Sequence, residues 1–342
     1  MVYHLPAELK LFAYMRNEHI SYYSLSIHPS VINVYYESNA PRRLPLYLDR
    51  IPDNLKINAT NGKISPIAKR KISRAIDYLI YLSKPKKLPP TIHGKDYTFR
   101  LNFITLTLSS KQIHTDQEIK AVLLNQFFIE MTRKWKVQSY IWRAEKQKNG
   151  NIHFHIITGN FIPWNELRNT WNRIQNKLGY VDRYRENRET WHAHGFKFQR
   201  TLGAVWSYEK QLAAYKKGCL KQWENPNSTD VHSIKHVGNI KAYFVKYMTK
   251  NQEDYPLAGR LWGCSINLSN ISGGHCEMDS LIREELDKIV ASGRAKVYHS
   301  DYFSCYYISA ELLKELECIQ ILTTFRDYMQ RRFPFQCSPE LF

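Results

Sequence analysis

The chain has 342 residues, 43% of them hydrophobic, enough for one large domain or two ordinary ones, and no segment approaches the ~18 uninterrupted apolar residues of a membrane span. Lys and Arg number 49 against 31 Asp and Glu, for a formal charge of +18 and a pI near 9.5. That balance, with 23 Tyr, 15 Phe and 8 Trp, favours a polyanionic partner over a solvated basic surface, because aromatic faces between cations are what unpaired bases stack on. Six cysteines (219, 264, 276, 305, 318 and 337) never reach C-x-x-C spacing and read as reduced thiols. The opening "MVYHLPAELKLFAYMR" does not read as a secretory signal, so a cytoplasmic protein is expected.

Residues 1–95 read as a basic accessory region. Within it, "SPIAKRKISRAIDYLIYLS" (65–83) puts Ile67, Ile72, Ile76, Leu79 and Ile80 on one helical face. Lys69, Arg70, Lys71 and Arg74 fall largely on the other, a candidate surface for the phosphates of flanking duplex or simply a solvated face. "KPKKLPP" (84–90) ends the helix and reads as a linker. "YTFRLNFITLTLSS" (97–110) alternates as a strand, and Thr115 and Glu118 of "TDQE" form a capping box. The helix it opens carries Ile119, Leu123, Phe127 and Met131 as one stripe. "VQSYIWRAEKQ" (137–147) and "NIHFHIIT" (151–158) read as a hairpin, and "IPWNELRNTWNRIQNKLG" (162–179) as a helix between Pro163 and Gly179. A polar, aromatic insertion runs to about 232, followed by a helix at 239–250 and a strand at 259–269. Helical stretches near 280–291 and 310–332 surround a strand at 295–309. The expected class is α+β: a central antiparallel sheet flanked by helices in a core at 96–270, with accessory regions at 1–95 and 271–342.

Side chains two apart on a strand share a face, so His153 and His155 stand together. Alone, the pair fits half a metal site or two polar residues on a sheet edge. The turn adds information. A two-residue turn at Asn149-Gly150 would set Glu145 opposite Phe154, on the wrong face. A three-residue loop, Lys148 to Gly150 with Gly150 left-handed, sets Glu145 across from His153 instead. His153, His155 and Glu145 then make a two-histidine, one-carboxylate set suited to a catalytic divalent cation, with imidazole favouring Mn²⁺ or another transition ion over Mg²⁺. A second H-x-H, His192 and His194, lacks the apolar alternation and reads as surface or DNA-contacting.

In "AYFVKYMTK", Tyr243 and Tyr247 are four apart on one helical face, and Lys246 and Lys250 each follow a tyrosine by three. A phenol titrates near ~10, so an attacking tyrosine needs a cation, a base or nearby lysines. A helix with two aromatic core residues and solvated lysines is the plainer alternative.

Taken in order, "FITLTLSS" (103–110), "GNIHFHII" (150–157) with an acid just before it, and "YFVKYMTK" (243–250) resemble motifs I, II and III of the HUH endonuclease superfamily, specifically its rolling-circle replication initiators. The doubled Y-x-x-K-Y-x-x-K is similar to the two-tyrosine initiators of isometric single-stranded DNA phages and related plasmids. The likeness spans about residues 98–270 and implies a ferredoxin- or RRM-like palm. It implies metal binding by His153 and His155 with Glu145 as the third, more variable ligand. Tyr247 and Tyr243 would be nucleophiles, and Lys246 and Lys250 would help position the phosphate. The implied activity is nicking and rejoining of single-stranded or origin-hairpin DNA with Mn²⁺ or Mg²⁺, through a 5′-phosphotyrosine link and a free 3′-OH. With no G-x-x-x-x-G-K-[ST] stretch there is no fused P-loop helicase, so helicase and polymerase would come in trans from a bacterial host. The insertion at 180–232 departs from compact members of the superfamily. Two other readings stay open: a relaxase or single-strand transposase of the same superfamily, and a non-catalytic nucleic-acid-binding regulator.

Overall fold

In a computed structural model, residues 21–38, 63–83, 85–88, 97–233, 240–250, 257–300, 303–334 and 336 are described. In chain order, the hairpin β1 (Ser21–His28) and β2 (Val31–Ser38) precedes α1 (Pro66–Leu82), β3 (Lys86–Leu88), β4 (Tyr97–Phe99) and β5 (Asn102–Thr107). Helix α2 opens with the turn Asp116–Glu118, widens to π-helical geometry over Ile119–Leu124 and continues as Asn125–Trp135. Then come β6 (Tyr140–Lys146), β7 (Ile152–Thr158), α3 (Trp164–Gln175), α4 (Tyr180–Trp191) and α5 (Tyr208–Leu220). They are followed by β8 (Thr229–Ser233), α6 (Ile240–Met248), β9 (Trp262–Cys264), β10 (Gly274–Glu277) and α7 (Ser280–Ala291). The last elements are β11 (Lys296–His299), β12 (Phe303–Tyr307), α8 (Ala310–Glu315) and α9 (Ile319–Arg332). The architecture is α+β, with two five-stranded antiparallel sheets and a short β3–β4 ribbon.

Two compact units divide the chain, and they do not follow its linear order: Met1–Asn58 with Asn267–Phe342, and Ala59–Ile266. Accessory regions at 1–95 and 271–342 are therefore not separate bodies, and strand pairing gives the reason. β1 pairs with β10 and β2 with β12, so the N-terminal hairpin supplies the middle of a sheet ordered β10-β1-β2-β12-β11. Leu25, Ile27, Ile32 and Val34 are buried in that unit, as are Ile321, Phe325 and Met329 of α9, which packs on β10 and β1. The buried Glu285 carboxylate accepts the N–H groups of Gln320 and Ile321 at 2.7 and 2.9 Å, satisfying donors that open the α9 helix.

The second unit is built on a sheet ordered β8-β5-β7-β6-β9. On one face Ile104, Leu106, Phe154, Ile156 and Ala144 are buried. Trp171 of α3 stands edge-on to Phe154 at 6.4 Å and to Phe127 of α2 at 5.9 Å. The expected stripe of Ile119, Leu123, Phe127 and Met131 is wholly buried, and the capping box is complete: Thr115 Oγ1 accepts Glu118 N–H, and Glu118 Oε2 accepts Thr115 N–H at 2.8 Å. On the sheet's other face lie the site residues described below; helix α1 packs on α6 and on β6.

Local boundaries differ from expectation where long-range partners decide them. The 97–110 strand breaks at Arg100, whose guanidinium turns aside to donate to Ser83 O and Ile80 O at the end of α1. Within the expected linker 84–90, Lys86–Leu88 pairs with Tyr97–Phe99; residues 84, 89 and 90 lie outside the described region, as does most of residues 1–62. Ile67 leaves the apolar stripe and is 61% exposed, while Ala75 and Tyr78 join the core. The single strand expected at 259–269 is reduced to β9, and that at 295–309 is the antiparallel pair β11–β12. The insertion at 180–232 forms α4, α5 and the edge strand β8.

Candidate metal and nucleophile site

The hairpin loop sets the site's register. Gly150 is left-handed (φ 83°), and its N–H donates to Gln147 O at 2.8 Å. Gln147 N–H donates to Asn151 O at 2.8 Å, closing the three-residue loop. Gly avoids the steric cost that a Cβ would carry there. The consequence propagates up the ribbon: Lys146 pairs with Ile152, Glu145 with His153, and Arg143 with His155. On the other side of β7, Thr107 pairs with His153 and Thr105 with His155. Directly opposed residues in an antiparallel ladder share a face, so these six side chains point the same way.

The three donors converge. Glu145, His153 and His155 each offer a ligand atom within 4.8 Å of the others. His153 Nε2 and His155 Nε2 lie 3.1 Å apart, and Glu145 Oε2 is 3.5 and 3.6 Å from them. In the tautomer that donates Nδ1–H to Thr105 Oγ1 (3.1 Å), His155 presents its Nε2 lone pair to the cluster, as a metal ligand must. Two imidazole nitrogens and a carboxylate oxygen gathered this closely form an electron-rich pocket that fits a divalent transition ion. His153 Nδ1 is buried without a hydrogen-bond partner, so Thr105 supports only one of the two rings. Among the described residues no other group of three such side chains converges.

Burial would raise the Glu145 carboxyl; the two imidazoles and then Arg143 outweigh it and hold the group well below the usual carboxylate range. Burial lowers His155, so the ring is held neutral. Glu145 is an anion beside neutral imidazoles, the protonation pattern that cation binding requires.

The tyrosine helix reaches this pocket. The Tyr247 hydroxyl lies 3.3 Å from His155 Nε2, and the two rings stand perpendicular with centroids 5.0 Å apart. Phe103 packs against both, stacked on His155 at 5.1 Å and edge-on to Tyr247 at 4.9 Å. Phe244 and Met248 bury the opposite side of α6. Tyr243 stacks on Tyr247 at 6.4 Å and is 42% exposed. Lys246 and Lys250 are both exposed. Burial, Glu145 and Tyr243 raise the Tyr247 phenol above its ordinary value against the pull of Arg143, so it holds its proton at neutral pH.

Arg143, Thr105 and Phe103 belong to the site and were not singled out from the sequence. Arg143 is 2% exposed. Its Nη1 donates to Tyr247 O at 3.1 Å and its Nη2 to Lys250 O, while Nε sits 3.0 Å from Glu145 Oε1 as an ion pair rather than an aligned hydrogen bond. The available signal was parity: Arg143 is two before Glu145 on the same strand, hence on the same face. Of the second H-x-H, only His194 is exposed. His192 is half-buried, stacked on Trp223 at 5.4 Å with 6° between ring planes.

With this geometry in place, comparison with known proteins adds one finding. The sequence model of a family of replication-associated proteins, the ORF2 type, matches residues 101–181. The match supports a role in initiating replication. It holds Thr105, Arg143, Glu145, His153 and His155, and stops before the insertion and the tyrosine helix. No curated protein and no solved structure matches the chain. Among the described residues no helix is long and apolar enough to cross a membrane.

Proposed function

We propose that the chain is a replication initiator that nicks and rejoins single-stranded origin DNA by metal-dependent transesterification, with Tyr247 as a nucleophile. One observation carries the reading: the Tyr247 hydroxyl lies 3.3 Å from the same His155 nitrogen that faces Glu145 and His153. A phenol on a helix and three ligands on a sheet have no packing reason to meet there. Glu145, His153 and His155 would hold the ion. When bound, a divalent cation polarises a phosphodiester oxygen and neutralises charge that develops during displacement.

The rest is the work of the chain's own residues. The Tyr247 phenolic oxygen forms a bond to phosphorus and gives up its proton; the P–O3′ bond breaks, and the leaving 3′-oxygen takes up a proton to become a 3′-OH. One phosphodiester replaces another, so rejoining needs no nucleotide fuel. Because burial keeps Tyr247 protonated, deprotonation belongs to the DNA- and cation-bound state. Arg143 fixes the backbone carbonyls at the end of the tyrosine helix relative to Glu145. Tyr243, stacked on Tyr247 and open to solvent, is placed to attack second and release a joined strand. Lys246 and Lys250, exposed on the same helix, would bind phosphate.

The test is an adduct. A 3′-labelled pool of single-stranded oligonucleotides, incubated with the full chain and Mn²⁺, should yield an SDS-resistant labelled protein band. Tyr247→Phe should abolish the first adduct, and Tyr243→Phe should leave it but impair transfer to a second strand. A chain that binds the pool and forms no adduct with any divalent ion is a regulator, and the nicking reading fails.

A further inference from the structure

The insertion between the metal-ligand hairpin and the tyrosine helix is built like a surface rather than a linker. Tyr184, Arg188 and His192 follow one another at i, i+4, i+8 along α4, so they share a face. Trp223, arriving after α5, lies flat on His192, and Arg188 lies over both its ring (5.8 Å) and that of Tyr184 (5.2 Å). The chain takes up two consecutive left-handed non-glycine residues, Gln222 (φ 47°) and Trp223 (φ 53°), to seat that indole. Gly218 makes the seat possible: a Cβ there would stand 2.1 Å from the Trp223 ring. The intervening loop is pinned by Gln211, whose side chain accepts Gln199 N–H and donates to Gln199 O and Trp206 O.

On this fixed scaffold, large rings face water. Trp191 is 46% and Trp206 48% exposed, and Lys197 Nζ sits 5.5 Å from the Trp191 ring centroid. Between Trp191 and Lys221 the sequence holds Lys197, Arg200, Lys210, Lys216, Lys217 and Lys221 against a single acid, Glu209. All of these cations are exposed. Solvent-facing indoles alone would fit a protein partner; beside six cations and one acid they fit a polyanion with accessible rings.

We propose that residues 180–224 form a second single-strand-binding surface, on which unpaired bases stack against Trp191 and Trp206 while Lys197, Arg200 and Lys210 hold phosphates. The choice of DNA rests on the nicking reading; the choice of a single strand rests on the exposed rings, which paired bases cannot cover. The surface would hold DNA flanking the nick, in a segment that the family match does not reach beyond its first two residues.

The test uses the full chain in EDTA, where no nicking occurs, and fluorescein-labelled dT30 read by anisotropy across a salt titration. Trp191→Ala and Trp206→Ala should each weaken binding roughly tenfold, and Trp206→Phe should recover most of that loss. The exposed-lysine variants Lys210→Glu and Lys217→Glu, which leave the packed rings untouched, should lower the slope of log affinity against log salt by about 0.7 per lost phosphate contact. Unchanged affinity and slope overturn the proposal. So does an equal loss toward a 30-base-pair duplex, which would mean phosphate contact without stacking. A chain that binds dT30 through these rings yet forms no adduct sinks the nicking reading alone; one that forms adducts but ignores the rings sinks this surface alone.

Discussion

At Arg143 the two halves of the site meet. One guanidinium ties the metal-side carboxylate, Glu145, to the backbone carbonyls of Tyr247 and Lys250. Arg143→Ala would strand a buried carboxylate and two carbonyls; breaking a buried pair costs about 3–5 kcal/mol, so the melting temperature should fall on the order of 10 °C. Thermal denaturation by circular dichroism checks this, and an unchanged midpoint would show that Arg143 is solvated in solution. Ligand identity has its own test. Mn²⁺ at about 100 times its dissociation constant should stabilise the wild-type chain by about 2.7 kcal/mol, and Glu145→Gln or His153→Ala should lose most of that gain in calorimetry. These two ligands and His155 were legible as a set because a strand repeats every two residues and one glycine fixed the loop. Arg143 and Thr105 share their parity but carry no such signal. What marks them is the partner each reaches, and that partner is distant in the chain.

Among the elements, α2 and α1 show the two ways in which local pattern succeeds and stops. The capping box and apolar stripe of α2 are contained in one stretch of chain, and both are present. What the stretch did not announce is the π-helical widening at Ile119–Leu124, which carries Lys120. Its Nζ donates to Ala258 O at 2.6 Å, and burial pushes the ammonium down to about 8 against the pull of Asp116. An unfolded lysine titrates near ~10.4, so between about pH 8 and that value the unfolded chain binds more protons and stability rises with pH. Below about pH 8 the penalty is fully present. Lys120→Gln, which keeps a donor for Ala258 O, should therefore raise the melting temperature relative to wild type at about pH 7, with the difference shrinking toward about pH 10. A pH-independent difference would place Lys120 in water. For α1, amphipathicity identified a buried face but not its neighbour. The helix lies on the tyrosine helix, with Asp77 Oδ1 2.9 Å from Lys241 Nζ, while Lys69, Arg70, Lys71 and Arg74 remain exposed.

For the whole molecule, connectivity and compactness part company. The N-terminal hairpin supplies the two strands between β10 and β12, so removing residues 1–58 should cost the 267–342 region its order and spare the unit that holds the site. Limited proteolysis of a chain beginning at Ala59 should cut within 267–342 first and leave a stable fragment close to 59–266. Equal resistance of both parts would contradict the shared sheet. The sequence by itself determined whatever repeats with a short period or closes over a few residues: the stripe of α2, the three-residue loop at Lys148–Gly150, the Glu145–His153 register and the spacing of Tyr243 and Tyr247. Only the tertiary structure decided that β1 and β2 join strands some 250 residues away, that Arg100 ends one strand to cap another helix, and that Tyr247 faces His155. Periodicity is a property of neighbours along the backbone. Which surfaces then meet depends on burial and hydrogen bonding summed over the whole chain, and no short window contains that sum.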